Sequence, residues 1–119
     1  MIMADKINLA AKLATFSEHW SPHTVGQINN FDVMIVKVIG KFVWHKHDET
    51  DDFFLVLKGT LDIQLRDRIV ALGPGEMYVV PKGVEYCPRS REEVHLLLIE
   101  PCGTPNTGDA KTAAPRKTA

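Results

Sequence analysis

The sequence has few of the features that would tie it to a membrane, a nucleic acid or an oxidising compartment. Its 119 residues include only two cysteines, Cys87 and Cys102, too few for a disulfide framework. The 14 basic residues nearly cancel the 15 acidic ones, so no net charge attracts nucleic acid or an anionic membrane. No apolar run reaches transmembrane length, and the first residues lack the apolar core of a secretory signal. We therefore expect a cytoplasmic protein that binds neither nucleic acid nor membrane.

The strand and turn signals predict an all-β protein preceded by one short helix. Residues 7–16 carry apolar side chains at helical intervals, and residues 23–28 and 33–39 are typical of two strands joined by a turn. From residue 41 onward, short apolar runs alternate with turn signals, which indicates a barrel or a sandwich. The apolar run at residues 93–100 predicts a last strand that is buried on both faces.

Three potential metal ligands lie close together between Gly40 and Gly59. His45 and His47 are two positions apart, so on a strand both side chains project from the same face. A polar turn follows, and a hairpin through it would bring Asp52, at the start of the next strand, back to the two imidazoles. Two neutral imidazoles and one carboxylate suit iron, manganese, nickel or zinc. The sequence therefore predicts a divalent metal site with these three ligands.

The segment GKFVWHKHDETDDFFLVLKG, which contains these ligands, resembles the first conserved motif of the cupins. In that motif a glycine leads to His-x-His, and an acid follows before an apolar strand that ends in glycine. Asp52 stands where the family usually has glutamate, seven residues before Gly59. The resemblance thus implies the same ligand set that the spacing of the residues predicts.

The segment GPGEMYVVPKGVEYCPRS resembles the second cupin motif, with Gly75, Pro81 and Gly83 at the family's intervals. This chain departs from the motif at two positions. Tyr86 stands where the family has its third histidine, and Ser90 stands where the family has a later asparagine. One metal ligand that the family would supply is therefore missing.

The resemblance implies a double-stranded β-helix, the jelly-roll barrel of the cupins, over residues 20–102. The chain then divides into an N-terminal helical segment (1–19), the barrel and a tail (103–119). The tail lacks large apolar residues, so we expect it to be disordered. The resemblance further implies a homodimer, and dioxygenase, isomerase or decarboxylase chemistry on a small organic molecule.

Three roles remain open for Tyr86, the candidate catalytic residue. Its hydroxyl can line the pocket as a hydrogen-bond donor or acid, its phenolate can bind a strong Lewis acid such as ferric iron, or its ring can fill the barrel mouth. We expect the pocket-lining role. Phe54 and Val56 share a strand face with Asp52, so we expect them to line the same interior.

The remaining polar residues of interest have ordinary explanations. Asp48, Glu49 and Asp51 are expected to form a solvated turn. His95 is a second-choice replacement for the missing histidine, although its place beside a run of leucines favours a packed or surface role. Cys87 is expected to be a small buried residue and not a nucleophile.

Three classes of function are consistent with the sequence. The first is a single-domain cupin that binds a divalent metal inside the barrel and acts on or binds a small organic molecule. The alternative is a module that binds a small ligand without turnover and has lost its metal site, which the missing histidine favours. The third is a structural or regulatory subunit that pairs through its barrel edge. We expect the first.

Overall fold

The computed structural model of the chain describes residues 5–104 and 117–118, which form one helix and eight strands. The elements are α1 (Leu9–Leu13), β1 (His23–Ile28), β2 (Phe31–Lys41), β3 (Asp52–Lys58), β4 (Leu61–Leu65), β5 (Ile69–Leu72), β6 (Met77–Val80), β7 (Tyr86–Pro101) and β8 (Lys117–Thr118). The predicted all-β class with a short N-terminal helix is thus confirmed. Within the described ranges, none of the helical structure has the length and apolar character that crossing a membrane requires.

The long strand β7 organises the sheet. Along one edge it pairs antiparallel with β2, and along the other it pairs first with β4 and then with β3. β1 joins the sheet through β2, while β5 and β6 join it through β4 and β3. Because β7 contacts three strands that are distant in sequence, it connects the two halves of the barrel.

The core lies on the inward faces of these strands. Side chains alternate between the two faces of a strand, and the buried positions of β3, Asp52, Phe54 and Val56, follow this period of two. The core cluster includes Val38 of β2 and Leu96 of β7. Asp52 therefore begins a strand whose inward face continues directly into the apolar core.

Two elements have different bounds from those that the sequence predicts. The helix covers Leu9–Leu13 and not residues 7–16, because the side chain of Asn8 accepts a hydrogen bond from the backbone N–H of Ala11 and caps the helix there. Strand β2 extends beyond the predicted residues 33–39, since it pairs with β7 along its length, through a bulge between Val38 and Gly40.

The prediction for the last strand is wrong in one respect. β7 begins at Tyr86, and only its inward face is fully buried beyond Val94, whereas Leu97 and Ile99 on the other face are half-buried. The outward face of the barrel is thus only partly covered. Most of the predicted tail lies outside the described residues. Of its described residues, 103–104 and 117–118, the pair Lys117–Thr118 forms β8 and pairs in parallel with β1.

Candidate metal site

His45 and His47 lie in an extended segment between β2 and β3. The sequence analysis expects both histidines on a strand, but of the two only His45 makes strand-like pairing, with Tyr86. The backbone N–H of His45 donates to the carbonyl of Tyr86 at 3.0 Å, and the N–H of Tyr86 donates to the carbonyl of His45 at 2.9 Å. The carbonyl of His47 accepts from the N–H of Gly83 at 2.8 Å. The two sequence motifs are therefore held against each other by backbone hydrogen bonds.

His45 is oriented by its own backbone segment. Its Nδ1 lies 2.8 Å from the carbonyl oxygen of Val43, and because a carbonyl only accepts, Nδ1 carries the hydrogen. Nε2 then keeps its lone pair for a ligand. Burial lowers the pKa of His45, which favours the neutral imidazole that binds metals. A carbonyl that fixes the tautomer in this way is the usual support of a metal-binding histidine.

His47 and Asp52 complete the group. Both side chains are buried, and Nε2 of His47 lies 3.2 Å from Oδ2 of Asp52. Ligand atoms of His45, His47 and Asp52 all lie within 4.8 Å of one another, a spacing that allows one ion to contact all three. The structure thus brings together the three residues that the sequence predicts as metal ligands.

Two polar atoms of this group support a metal site independently of the spacing. Among the described residues, neither Nε2 of His47 nor Oδ1 of Asp52 has a hydrogen-bond partner, although both atoms are buried. The contact of His47 with Oδ2 of Asp52 does not have hydrogen-bond geometry. An unsatisfied buried polar atom costs about 1–3 kcal/mol, and a cation bound between these atoms would remove that cost. The donor set fits a divalent transition metal.

Tyr86 lies inside the same group. Its side chain is buried, and its hydroxyl donates a hydrogen bond to Oδ2 of Asp52. Its ring centroid is 4.3 Å from that of His45. The hydroxyl therefore occupies one oxygen of the carboxylate and leaves Oδ1 for another partner. The pocket-lining and ligand roles predicted for Tyr86 both require the inward orientation that the structure gives it.

A partly open cavity of ≈ 40 Å³ adjoins the site. His45, Asp52, Tyr86 and Phe54 line it. Val56 was predicted to line the same interior, but it is fully buried in the core and does not line the cavity. It lies about 13 Å from Asp52 along the strand, beyond the part of the interior that stays open.

Glu100 also lines this cavity, and the sequence analysis missed it. Its side chain is only 3% exposed, although it is an acidic residue. The sequence does contain a signal, because Glu100 continues the series Val94, Leu96 and Leu98, which alternates inward along β7. An acidic residue at an inward position of an apolar strand indicates a functional or paired carboxylate.

The remaining polar residues of the sequence analysis lie outside the site. Asp48 is exposed and pairs with Lys46, and Asp51 is exposed and accepts from the backbone of Lys82, as expected of a solvated turn. His95 contacts Glu93, with Nε2 2.9 Å from Oε1, and does not join the metal-ligand group.

Cys87 and His19 also lie outside the metal-ligand group. Cys87 is fully buried, as expected, and burial raises the pKa of its thiol. His19, to which the sequence analysis assigns no role, lies at the surface beside Glu93.

Comparison with known proteins agrees with this geometry. A family model described as "Cupin domain" matches residues 32–100. A solved cupin-2 domain protein from Shewanella frigidimarina is 47% identical, with a TM-score of 0.79, over 80% of this chain and 93% of that one. Protein NMB1881 from Neisseria meningitidis is 34% identical, with a TM-score of 0.74, over 82% of this chain and 99% of that one.

A relative of known sequence extends the comparison. The uncharacterized protein YdbB of Bacillus subtilis is 28% identical over 99 residues, which cover 82% of this chain and 88% of YdbB. The family match spans both sequence motifs and all three metal-ligand candidates. The barrel, the two motifs and these matches together show that the chain belongs to the cupin family.

Proposed function

We propose that this cupin binds one divalent metal ion through His45, His47 and Asp52 and presents it to a small organic molecule. The observation that carries the proposal is the convergence of three buried ligand residues within 4.8 Å. Two of them have a polar atom without a hydrogen-bond partner in the described part of the chain. A set of two imidazoles and one carboxylate is selective enough to favour iron, manganese, nickel or zinc over calcium or magnesium.

Three protein ligands leave coordination positions open on such an ion. When bound, the ion would act as a Lewis acid toward an oxygen of the ligand. His45 supplies Nε2 because Val43 holds its Nδ1 hydrogen, and Asp52 supplies Oδ1 because Tyr86 engages its Oδ2. The half-buried aromatic rings of Trp20 and Phe42 lie at the same cavity and exclude water from part of it. The chain thus offers a defined binding face beside a partly apolar cavity.

The alternative is a cupin that binds a small ligand without a metal. The contact between Tyr86 and Asp52 favours it, because a phenol that donates to the carboxylate already satisfies part of its hydrogen-bonding need. In this form the cavity would bind a ligand through hydrogen bonds and apolar contacts alone.

Elemental analysis distinguishes the two functions. The full chain is purified without a tag, a chelator or nickel resin, and its metal content is measured by mass spectrometry. Near-stoichiometric iron, manganese, nickel or zinc supports the metal-binding function. Protein that contains no metal and takes up none when iron(II), manganese(II), nickel(II) or zinc(II) is added contradicts it, and ligand screening of the metal-free protein then tests the alternative.

We also propose that residues 20–102 are the functional unit, and that the protein is a cytoplasmic homodimer. Support for a dimer comes from the outward side chains Ile69, Met77 and Val79 on strands β5 and β6, which are exposed and apolar. In the described part of the chain, each of these two strands has a partner on one side only. Analytical ultracentrifugation across a range of concentrations tests this state, and a monomer throughout contradicts it.

A further inference from the structure

Glu100 occupies a place next to the metal-ligand candidates that no part of the proposed metal site uses. β3 and β7 pair with Phe53 opposite Ile99 and Phe54 opposite Leu98. Continued by one residue, this antiparallel register places Asp52 opposite Glu100. Directly opposed residues on neighbouring strands have Cβ atoms about 5 Å apart. The two carboxylates therefore lie side by side on the inward face of the barrel.

The cavity gives the carboxylate of Glu100 access to a bound molecule. Glu100, Asp52 and His45 line it together, and the rest of the lining is mostly apolar. Two aromatic rings, Trp20 and Phe42, stack at 4.6 Å on one side, and each is half-buried. The volume of ≈ 40 Å³ holds a few water molecules but not a whole organic molecule. Only a small polar group of a ligand can therefore enter, while its apolar part stays at the aromatic rim.

We infer that Glu100 is a further ligand-binding residue, whose carboxylate accepts a hydrogen bond from a hydroxyl or amino group of a ligand with an apolar or aromatic body. The two oxygens of a carboxyl group offer several acceptor sites, so Glu100 can bind a ligand and keep other contacts. The inference rests on the proposed function, because it takes this cavity as the binding site. It goes beyond that function by naming the ligand class, a hydrogen-bond donor with an apolar body.

Two matched neutral probes test the donor requirement. Benzyl alcohol carries a hydroxyl donor, and benzyl methyl ether keeps the ring and the oxygen but lacks the donor. We expect the wild-type protein to bind benzyl alcohol about tenfold more tightly than the ether in an NMR titration, because only the alcohol can donate this hydrogen bond. In Glu100→Gln, a weaker neutral acceptor, the preference should fall to about threefold, and in Glu100→Met it should disappear.

Controls separate this inference from the proposed metal function. Glu92→Gln changes an exposed acid on the same strand and should leave the preference unchanged. If one Glu100 variant does not fold, the other still tests the inference. An equal preference in wild type and Glu100→Gln, or no binding of benzyl alcohol to the wild type, overturns it.

Metal content is measured on the same samples. A preference for benzyl alcohol that depends on Glu100, in protein that takes up no metal, supports the inference. The same result contradicts only the proposed metal function. Metal-loaded wild-type protein that shows no preference for benzyl alcohol supports the metal function and contradicts the inference.

Discussion

The hydroxyl of Tyr86 donates to Oδ2 of Asp52, so the residue at the family's third-histidine position restrains one of the three metal-ligand candidates. The hydroxyl carries the hydrogen of this contact, because a carboxylate oxygen only accepts. It therefore competes with a cation for one carboxylate oxygen. The properties of this site depend on this contact as much as on the two histidines.

Tyr86→His should strengthen metal binding by about tenfold or more, because it replaces this donor with an imidazole ligand. Tyr86→Phe should strengthen it by a smaller factor, since it frees Oδ2 of Asp52 without adding a ligand. Zinc affinity, measured by competition with a chelating dye, checks both variants. Weaker binding by Tyr86→Phe would instead assign Tyr86 as a ligand.

The His45→Ala/His47→Ala double variant should lose bound metal while keeping the fold, because neither side chain belongs to the main core cluster. Elemental analysis gives the metal content, and far-ultraviolet circular dichroism gives the fold. His19→Gln removes an exposed imidazole that does not belong to the metal-ligand group, and it is the matched control. Unchanged metal content in the double variant would show that the assigned site is wrong.

Gly59→Ala should lower the free energy of unfolding by roughly 2 kcal/mol or more. Gly59 has φ of +87°, and an added Cβ would lie 2.9 Å from the carbonyl oxygen of Glu93. Gly26→Ala is the control, because no atom of residues 5–104 or 117–118, other than those of Gly26 and its chain neighbours, lies within 4 Å of its added Cβ. Urea unfolding measures both variants. Equal stability of the two would contradict the strain assigned to the turn after β3.

Glu93→Gln should weaken the dependence of stability on pH in acid. His19 and His95 donate to the two oxygens of Glu93 and lower its pKa from 4.5 to about 2. A lowered carboxyl pKa contributes stability above pH 4.5, and this is lost as the pH falls from 4.5 towards 2. The effect should be small, because the side chain is 42% exposed.

Urea midpoints measured between pH 5 and pH 2.5 check this prediction. The difference between wild type and Glu93→Gln should shrink as the pH falls, whereas Glu92→Gln should show no such trend. A difference that stays constant over this range would show that the two histidines do not lower the pKa of Glu93.

Much of the fold and all three metal-ligand candidates could be predicted from the sequence. The spacing of His45 and His47, and the turn before Asp52, express local geometry that a strand and a hairpin impose. The inward orientation of Glu100 could also be predicted, because Glu100 continues the alternation of inward side chains on β7. Its position beside Asp52 could not be predicted, because that depends on the register between β3 and β7, which are separated in sequence by three other strands.

Local sequence patterns could not predict the details of the site either. The extended but irregular segment at His45 is held by backbone hydrogen bonds to Tyr86, and such contacts form only when both motifs have folded together. The incomplete burial of Leu97 and Ile99 depends on what covers the outside of the barrel, which hydropathy alone does not encode.

Tyr86 and Glu100 are carried by the two ends of β7, and both line one cavity. If one residue were inserted in the middle of β7, the strand residues before or after the insertion would reverse their orientation. Their inward side chains would point outward and their outward side chains inward. Glu100 would then turn out of the barrel and Ile99 would turn in. A lengthened turn between strands would leave this arrangement intact. Variants of the cavity are therefore better built by substitution along β7 and by insertion between strands than by any change in the length of β7.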